Sequence, residues 1–198
     1  KRLWIIYFSL TALETVVLMF FGLSFFDAIN HSLTTTSTGG FSTKQQSIAA
    51  FQNPFVEAVI VIFMFLAGTN FTMIYFGLKM KFRKIVNNDE FKWYLSAVFI
   101  LILLLSFYRT HTSSSDFIHA FREISFQVVS IITTTGYATA DYTLWGSFLT
   151  FIFFLFLFSG ASAGSTSGGI KIVRIILLIK NGLLLSLIHI SEPTRPLS

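Results

Sequence analysis

The sequence predicts an all-α membrane protein built from repeats of a helix, a re-entrant half-helix with a loop, and a second helix. The membrane is indicated by composition, since 54% of the 198 residues are hydrophobic and only 12% are charged. Soluble proteins carry about a quarter of charged residues. The repeat is indicated by two polar stretches, rich in Thr, Ser and Gly, that separate long apolar runs.

Four apolar segments are the candidate membrane spans. Spans 3–26 and 55–78 satisfy the length of roughly 20 apolar residues that a helix needs to cross the hydrocarbon core. Span 91–108 is marginal by the same criterion. The fourth span, 144–184, is interrupted at 159–169 by the sequence SGASAGSTSGG. That interruption must face protein or water, because lipid offers its backbone no hydrogen-bond partner.

Basic residues predict the orientation of the chain. The connection KMKFRKIVNNDEFK between the second and third spans is basic, and the chain begins with Lys1 and Arg2. Since short cytoplasmic loops are enriched in basic residues, both polar stretches are expected on the outer side. These residues flank apolar runs without forming one basic surface, so nucleic acid is not an expected partner. Cysteine is absent, which excludes disulfides and thiolate metal sites in this sequence.

The two outer connections form an internal repeat. Aligned on Gly39 and Gly136, the heptapeptides TSTGGFS and TTTGYAT match at an offset of 97 residues. Each heptapeptide follows a helix-compatible run that is too short to span a membrane. The first unit covers 1–80, with its half-helix and loop at 27–43, and the second covers 81–184, with its half-helix and loop at 115–140.

The repeated loops suit a weakly bound monovalent cation. A half-helix that returns as extended chain leaves its last carbonyls without partners. A dehydrated cation can replace those partners, and the negative end of the helix dipole adds to the attraction. Oxygen ligands without clustered carboxylates suit such an ion better than calcium or magnesium. The alternative to a cation site is that both stretches are ordinary outer loops with helix caps. The presence of two copies of the pattern makes this alternative less favoured.

The sequence resembles the TrkH/KtrB superfamily of bacterial potassium transporters in FDAINHSLTTTSTGGFST, VVSIITTTGYATADY and SGASAGSTSGGIKIVR. The resemblance extends from Lys1 to about Gly182 and implies four potassium-channel-like pore repeats, of which this chain would hold the second and third. It also implies that Gly39 and Gly136 govern the selection of potassium over sodium. The implied filter residues are Thr36, Ser37, Thr38, Gly39, Gly40, Thr133, Thr134, Thr135, Gly136 and Tyr137, with potassium at Thr38, Gly39, Thr135 and Gly136.

The interruption of the fourth span has three interpretations. A phosphate-binding loop of the type G-x-x-x-x-G-K-[ST] does not fit, because Ile170 lies between Gly169 and Lys171 and no Ser or Thr follows the lysine. The sequence GASAG matches the elbow of a serine nucleophile at Ser162, although no histidine is evident as its base. The third interpretation is a hinge, since small residues let a loop move at little packing cost. The resemblance agrees and implies an intramembrane gate below the filter, formed by Gly160, Gly164, Ser165, Thr166, Gly168 and Gly169.

Five isolated acidic residues need separate interpretation. Glu14 lies inside the first span, where a carboxylate is costly, and we expect it to be the structural partner of a polar group on a neighbouring span, with direct ion coordination as the less favoured alternative. Glu57 begins the second span, where the helix dipole favours it. Asp27 and Asp116 are expected to cap the half-helices. Asp141 either attracts cations to the outer mouth or is an ordinary solvated charge.

These observations predict a fragment of a potassium-uptake protein of the bacterial inner membrane, with a carbonyl and hydroxyl filter, a Ser/Gly gate and no enzymatic activity. The open alternatives are a sodium-permeable or sodium-dependent transporter, an intramembrane serine protease and a structural membrane subunit. The resemblance implies a homodimer and a cytoplasmic nucleotide-binding regulatory ring, and no cofactor is expected besides transported potassium. Residues 185–198, LSLIHISEPTRPLS, depart from the family pattern and are interpreted as cloning or read-through sequence.

Overall fold

The computed structural model describes residues 2–113 and 116–191, and this part of the chain is mostly helical. Its α-helices are α1 (Arg2–Phe20), α2 (Phe25–Thr36), α3 (Pro54–Ala67), α4 (Phe71–Leu78), α5 (Phe82–Val86), α6 (Asp89–Ser113), α7 (Phe117–Ile132), α8 (Ser147–Phe156) and α9 (Ile172–Ser191). Short 3₁₀ helices lie at Ser47–Phe51 and Tyr142–Trp145. The predicted all-α fold is confirmed, with one small addition: the two-residue strands β1 (Ser159–Gly160) and β2 (Ile170–Lys171) pair in parallel.

The membrane character predicted from composition is evident on the helix surfaces. Helices α1 and α6 are each long and apolar enough to cross a membrane, and α3 and α4 together meet the same test. Large apolar side chains such as Trp4, Phe20 and Phe99 are exposed on α1 and α6. Extended apolar surface of this kind is unusual for a soluble monomer and ordinary for a helix in lipid.

The first helix ends earlier than predicted. Span 3–26 was expected to be continuous, but α1 ends at Phe20, and Gly22 turns the chain with a φ of +97°. Ser24 then caps α2, since its Oγ accepts a hydrogen bond from the Asp27 amide at 3.1 Å. The expectation that Asp27 is the N-cap is therefore wrong, whereas Asp116 does occupy the N-cap position of α7.

The second predicted span, 55–78, is broken, and the prediction of one continuous helix is wrong. Helices α3 and α4 meet at an angle of 108° around the sequence Gly68-Thr69-Asn70. The Oδ1 of Asn70 accepts a hydrogen bond from the Thr72 amide at 2.9 Å and caps α4. Asn is a preferred N-cap residue, so Asn70 was the local signal for this break.

The interruption predicted in span 144–184 is present. Helices α8 and α9 flank a loop whose two ends are joined by β1 and β2, with Ser159 opposite Ile170 and Gly160 opposite Lys171. Helix α9 continues to Ser191 and so includes the start of the atypical segment 185–198. Residue 115, where the second half-helix segment was expected to begin, and residues 192–198 lie outside the described residues.

The half-helices lie in the middle of the protein. Helix α2 packs on α1, α7 packs on α6, and α3 contacts both half-helices. Buried side chains such as Ile60 on α3 and Phe126 on α7 belong to the shared core. Across this interface, Arg122 on α7 lies 3.2 Å from the Glu57 carboxylate on α3. The carboxyl ends of both half-helices are consequently held inside the molecule.

Candidate functional site: two Thr/Gly loops and a Ser/Gly loop

The loops that follow α2 and α7 have the same backbone conformation. Thr38 and Thr134 have φ values of +54° and +56°, and Gly40 and Gly136 have +66° and +86°. Both pairs are separated by 96 residues. The alignment of Gly39 with Gly136 at an offset of 97 is therefore wrong by one residue, and the counterpart of Gly136 is Gly40.

Backbone hydrogen bonds confirm this register. The Gly39 amide donates to the Thr34 carbonyl at 2.7 Å, and the Thr135 amide donates to the Ser130 carbonyl at 2.9 Å. In each loop the amide of the next residue reaches the same carbonyl. The Gly39-Gly40 doublet allowed two alignments of nearly equal quality, and only the backbone path distinguishes them.

The two filter loops lie side by side. A Cβ atom at Gly40 would overlap the Thr135 carbonyl, so only glycine permits this approach. The fully buried Tyr137 side chain crosses to the other repeat, where its hydroxyl donates to the His31 carbonyl at 3.1 Å and contacts the Thr34 hydroxyl. The structure thus brings the two predicted filter segments together.

The predicted filter residues differ in exposure. Gly39 and Gly136 are exposed, which leaves their backbone atoms accessible. The Thr133 hydroxyl instead donates to the Val129 carbonyl at 2.7 Å, so its proton is used inside α7. Ser37 is exposed, Gly40 and Thr134 are partly buried, and Thr36, Thr38, Thr133, Thr135 and Tyr137 are buried.

The loop at 159–169 makes hydrogen bonds with both predicted filter loops. Thr166 Oγ1 donates to the Thr36 carbonyl at 2.9 Å, and Thr38 Oγ1 donates to the Thr166 carbonyl at 3.1 Å. The Gly168 amide donates to the Thr134 hydroxyl at 2.7 Å. Thr166 and Gly168 therefore connect this loop to the ends of both half-helices.

The same loop supplies hydrogen-bond partners to the break between α3 and α4. The Ser162 amide donates to the Gly68 carbonyl at 3.0 Å, and the Phe71 amide donates to the Gly164 carbonyl at 3.3 Å. Backbone groups released by a helix break are costly inside a membrane unless they find partners. The break between α3 and α4 and the loop between α8 and α9 therefore supply hydrogen-bond partners to each other.

Glycines allow the loop its compact shape. A Cβ at Gly160 would overlap the Gly168 carbonyl, and Gly164 adopts a φ of +72° with Asn70 close by. The loop is held further by Lys171, whose Nζ donates to Ser167 Oγ at 2.9 Å. In the conformation described, the segment that was predicted to be a hinge is a compact loop held by many hydrogen bonds.

The isolated acidic residues have structural partners or surroundings that the sequence did not specify. Glu14 is fully buried on α1 and lies beside Thr35 of α2, although its oxygens make no hydrogen bond of ordinary geometry. Glu57 lies in the first turn of α3, as expected, and also pairs with Arg122. Asp141 caps a 3₁₀ helix, and hydrogen bonds from the Thr143 hydroxyl and amide hold the pKa of its carboxyl below the usual range.

This fold and this site define a channel-like membrane transport protein, because paired half-helices present two similar loops that contact a third, glycine-rich loop. The family described as TrkH, cation transport protein, matches residues 1–194. The chain belongs to that family.

Individual relatives agree with the assignment. The chain is 37% identical over 187 residues to the Trk system potassium uptake protein TrkH of Escherichia coli K12, covering 92% of this chain and 38% of that protein. It is 34% identical over 192 residues to TrkH of Halomonas elongata, covering 96% and 40%. The crystal structure of the potassium transporter TrkH from Vibrio parahaemolyticus superposes with a TM-score of 0.89 at 32% identity, covering 98% of this chain and 42% of that one. The chain thus spans about two fifths of the length of these relatives.

Proposed function

We propose that the complete protein carries potassium across the bacterial inner membrane and that this chain contributes two of four sides of its selectivity filter. The observation that carries the proposal is the equivalence of the two loops. They share one backbone path and approach each other at Gly40 and Thr135. The relatives in Escherichia coli and Halomonas elongata are named potassium uptake proteins, which supports potassium as the ion.

The position of the loops favours a cation. Each loop follows the carboxyl end of a half-helix, where the helix dipole is negative. Backbone oxygens at such a place can replace part of the hydration shell of a monovalent ion. A filter that also admits sodium would use the same groups, so sodium permeation or sodium dependence is the close alternative.

An exposed aromatic side chain supports further repeats around the same axis. Tyr137 of the second repeat packs against the half-helix of the first. Its counterpart 96 residues earlier is Phe41, which is 77% exposed in this chain. In a ring of similar repeats, Phe41 would contact the half-helix of the preceding repeat.

The loop at 159–169 is the proposed gate. Its hydrogen bonds to the Thr36 carbonyl and the Thr134 hydroxyl support a position across the inner end of the filter loops, where it would obstruct an ion. Opening requires the hydrogen bonds of Thr166 and Gly168 to break. The glycines of the loop permit the backbone rotation that this movement needs.

The serine protease alternative gains no support. Ser162 is buried, and its amide is used by the Gly68 carbonyl. His31 on α2 is hydrogen-bonded to Ser42, and His119 on α7 lies close to Glu123. The homodimer and the nucleotide-binding ring remain proposals that rest on the family resemblance.

Rubidium influx into cells that lack potassium uptake tests the proposal. The complete parent chain should take up rubidium in the presence of competing sodium. Gly136→Ser should lose that resistance to sodium, because its φ of +86° disfavours a side chain and the filter carbonyls would shift. Gly146→Ser is the matched control, since Gly146 also has a positive φ and open space around it but lies outside the loops. Absent uptake, or a Gly136→Ser variant identical to wild type, would overturn the assignment.

A further inference from the structure

A charged side chain from another helix holds the tip of the gate loop. The Ala163 amide donates to the Oε1 of Glu90, which lies in the first turn of α6. Glu90 is partly buried, whereas the neighbouring Asp89 is exposed and pairs with Lys92 at 3.5 Å. Of the two adjacent carboxylates, Glu90 contacts the loop and Asp89 does not.

The contact belongs to a small charged arrangement around the gate loop. Lys171 Nζ donates to the carbonyl and hydroxyl of Ser167 and lies 3.4 Å from Ser165 Oγ. Glu90 thus accepts from the loop at Ala163, and Lys171 donates to it at Ser167. Hydrogen bonds with an ionised partner are roughly twice as strong as neutral ones, so both contacts favour the folded loop.

We propose that Glu90 is a positioning residue that latches the gate loop in its obstructing conformation. The inference rests on the gate assigned under the proposed function. Glu90 lies within the basic connection 79–92, which the distribution of basic residues predicts to be cytoplasmic. A movement of that connection would withdraw the carboxylate from Ala163 and free the loop. The latch therefore offers a route by which events at the inner surface reach the gate.

Ion flux gives the first test. In the complete chain, Glu90→Gln and Glu90→Ala should raise rubidium influx, with about a tenfold rise in Glu90→Ala because a hydrogen bond to a charged acceptor is lost. The ratio of rubidium to sodium uptake should stay unchanged, since the filter loops are not altered. Asp89→Asn is the matched control and should behave as wild type. Unchanged flux in a correctly assembled Glu90→Ala protein, or altered selectivity without greater flux, would overturn the latch.

Loop mobility gives a second test that does not need transport. The chain contains no cysteine, so Ala163→Cys introduces one thiol at the loop tip once cysteines elsewhere in the complete chain are replaced. In inside-out vesicles, a membrane-impermeant thiol reagent should modify it about tenfold faster in the Glu90→Gln background than in the parent or in Asp89→Asn. Equal rates in all three backgrounds would refute the latch. If wild type carries no rubidium, the proposed transport function fails, yet these rates still decide whether Glu90 holds the loop.

Discussion

The hydroxyl of Thr166 donates a hydrogen bond of 2.9 Å to the Thr36 carbonyl and so joins the gate loop to the last turn of the first half-helix. That carbonyl is one of the groups at a helix end that lack an intrahelical partner. The loop proposed as the gate is therefore held by an acceptor that also belongs to the predicted filter region.

Removing this hydroxyl should weaken the closed gate. Thr166→Val keeps the shape of the side chain and deletes the donor, which costs the closed conformation about 1 kcal/mol, or roughly a fivefold change in the open fraction. Rubidium influx through the complete protein should rise by that factor. Thr112→Val is the control, because the Thr112 hydroxyl bonds only within α6, to the Tyr108 carbonyl. A Thr166→Val flux equal to wild type would contradict the gate assignment.

The corrected register predicts different costs at two adjacent glycines. A Cβ at Gly40 would overlap the Thr135 carbonyl, and its φ is +66°, whereas Gly39 lacks a positive φ and has its nearest contact at 3.3 Å, to Ser37 Oγ. Gly40→Ala should therefore reduce uptake and selectivity strongly, and Gly39→Ala should have the milder effect. Rubidium influx with and without sodium checks the order. A stronger effect of Gly39→Ala than of Gly40→Ala would instead favour the alignment of Gly39 with Gly136.

The ion pair between α6 and α7 should matter more for stability than an exposed pair. Arg109 lies 2.8 Å from Glu123, both side chains are about 15% exposed, and the guanidinium stacks over Trp145 at 4.1 Å. Arg109→Ala leaves the mostly buried Glu123 carboxylate with His119 as its remaining partner, at 3.8 Å, and should lower the free energy of unfolding by about 3 kcal/mol. Thermal unfolding in detergent measures the change. Lys92→Ala, in an exposed pair, should cost less than about 1 kcal/mol, and equal losses would contradict this account.

Acid should loosen the contact between the start of α2 and the segment that follows the first filter loop. Hydrogen bonds from the Thr43 and Ser24 hydroxyls, with the nearby Lys44 charge, lower the pKa of Asp27 below its ordinary value of 3.8. A lowered folded pKa means that this stabilisation is complete above the ordinary pKa and disappears as pH falls through the folded value. The melting-temperature difference between wild type and Asp27→Asn should stay constant from pH 7 to about pH 5 and shrink below pH 4. A difference that grows with acid would contradict the sign.

Much of the architecture follows from local sequence. The polar Thr/Gly stretches predict the half-helices because no lipid-facing segment tolerates them, and the small residues at 159–169 predict the interruption between α8 and α9. The start of α2 was misplaced because the aromatic pair Phe25 and Phe26 extends the apolar run of α1. Local hydropathy does not separate a spanning helix from the first turn of a half-helix.

Long-range contacts explain what the sequence did not predict. The break at Gly68-Thr69-Asn70 lies within a segment that is apolar enough to pass as one span, and the partners that stabilise it, Ser162 and Gly164, lie in another repeat. Glu90 carries no local signal, because a carboxylate beside basic residues is typical of a solvated surface. Its role depends on a loop that the chain reaches only at Ala163.

Crystals of the complete protein soaked in rubidium would test the central claim most directly, through the anomalous scattering of the ion. The account predicts rubidium on the axis that the two filter loops face, bounded by backbone oxygens of residues 38–40 and 134–136 at equivalent positions in the two repeats. Rubidium bound elsewhere, with no anomalous peak beside either loop, would contradict the assignment of these loops as the filter.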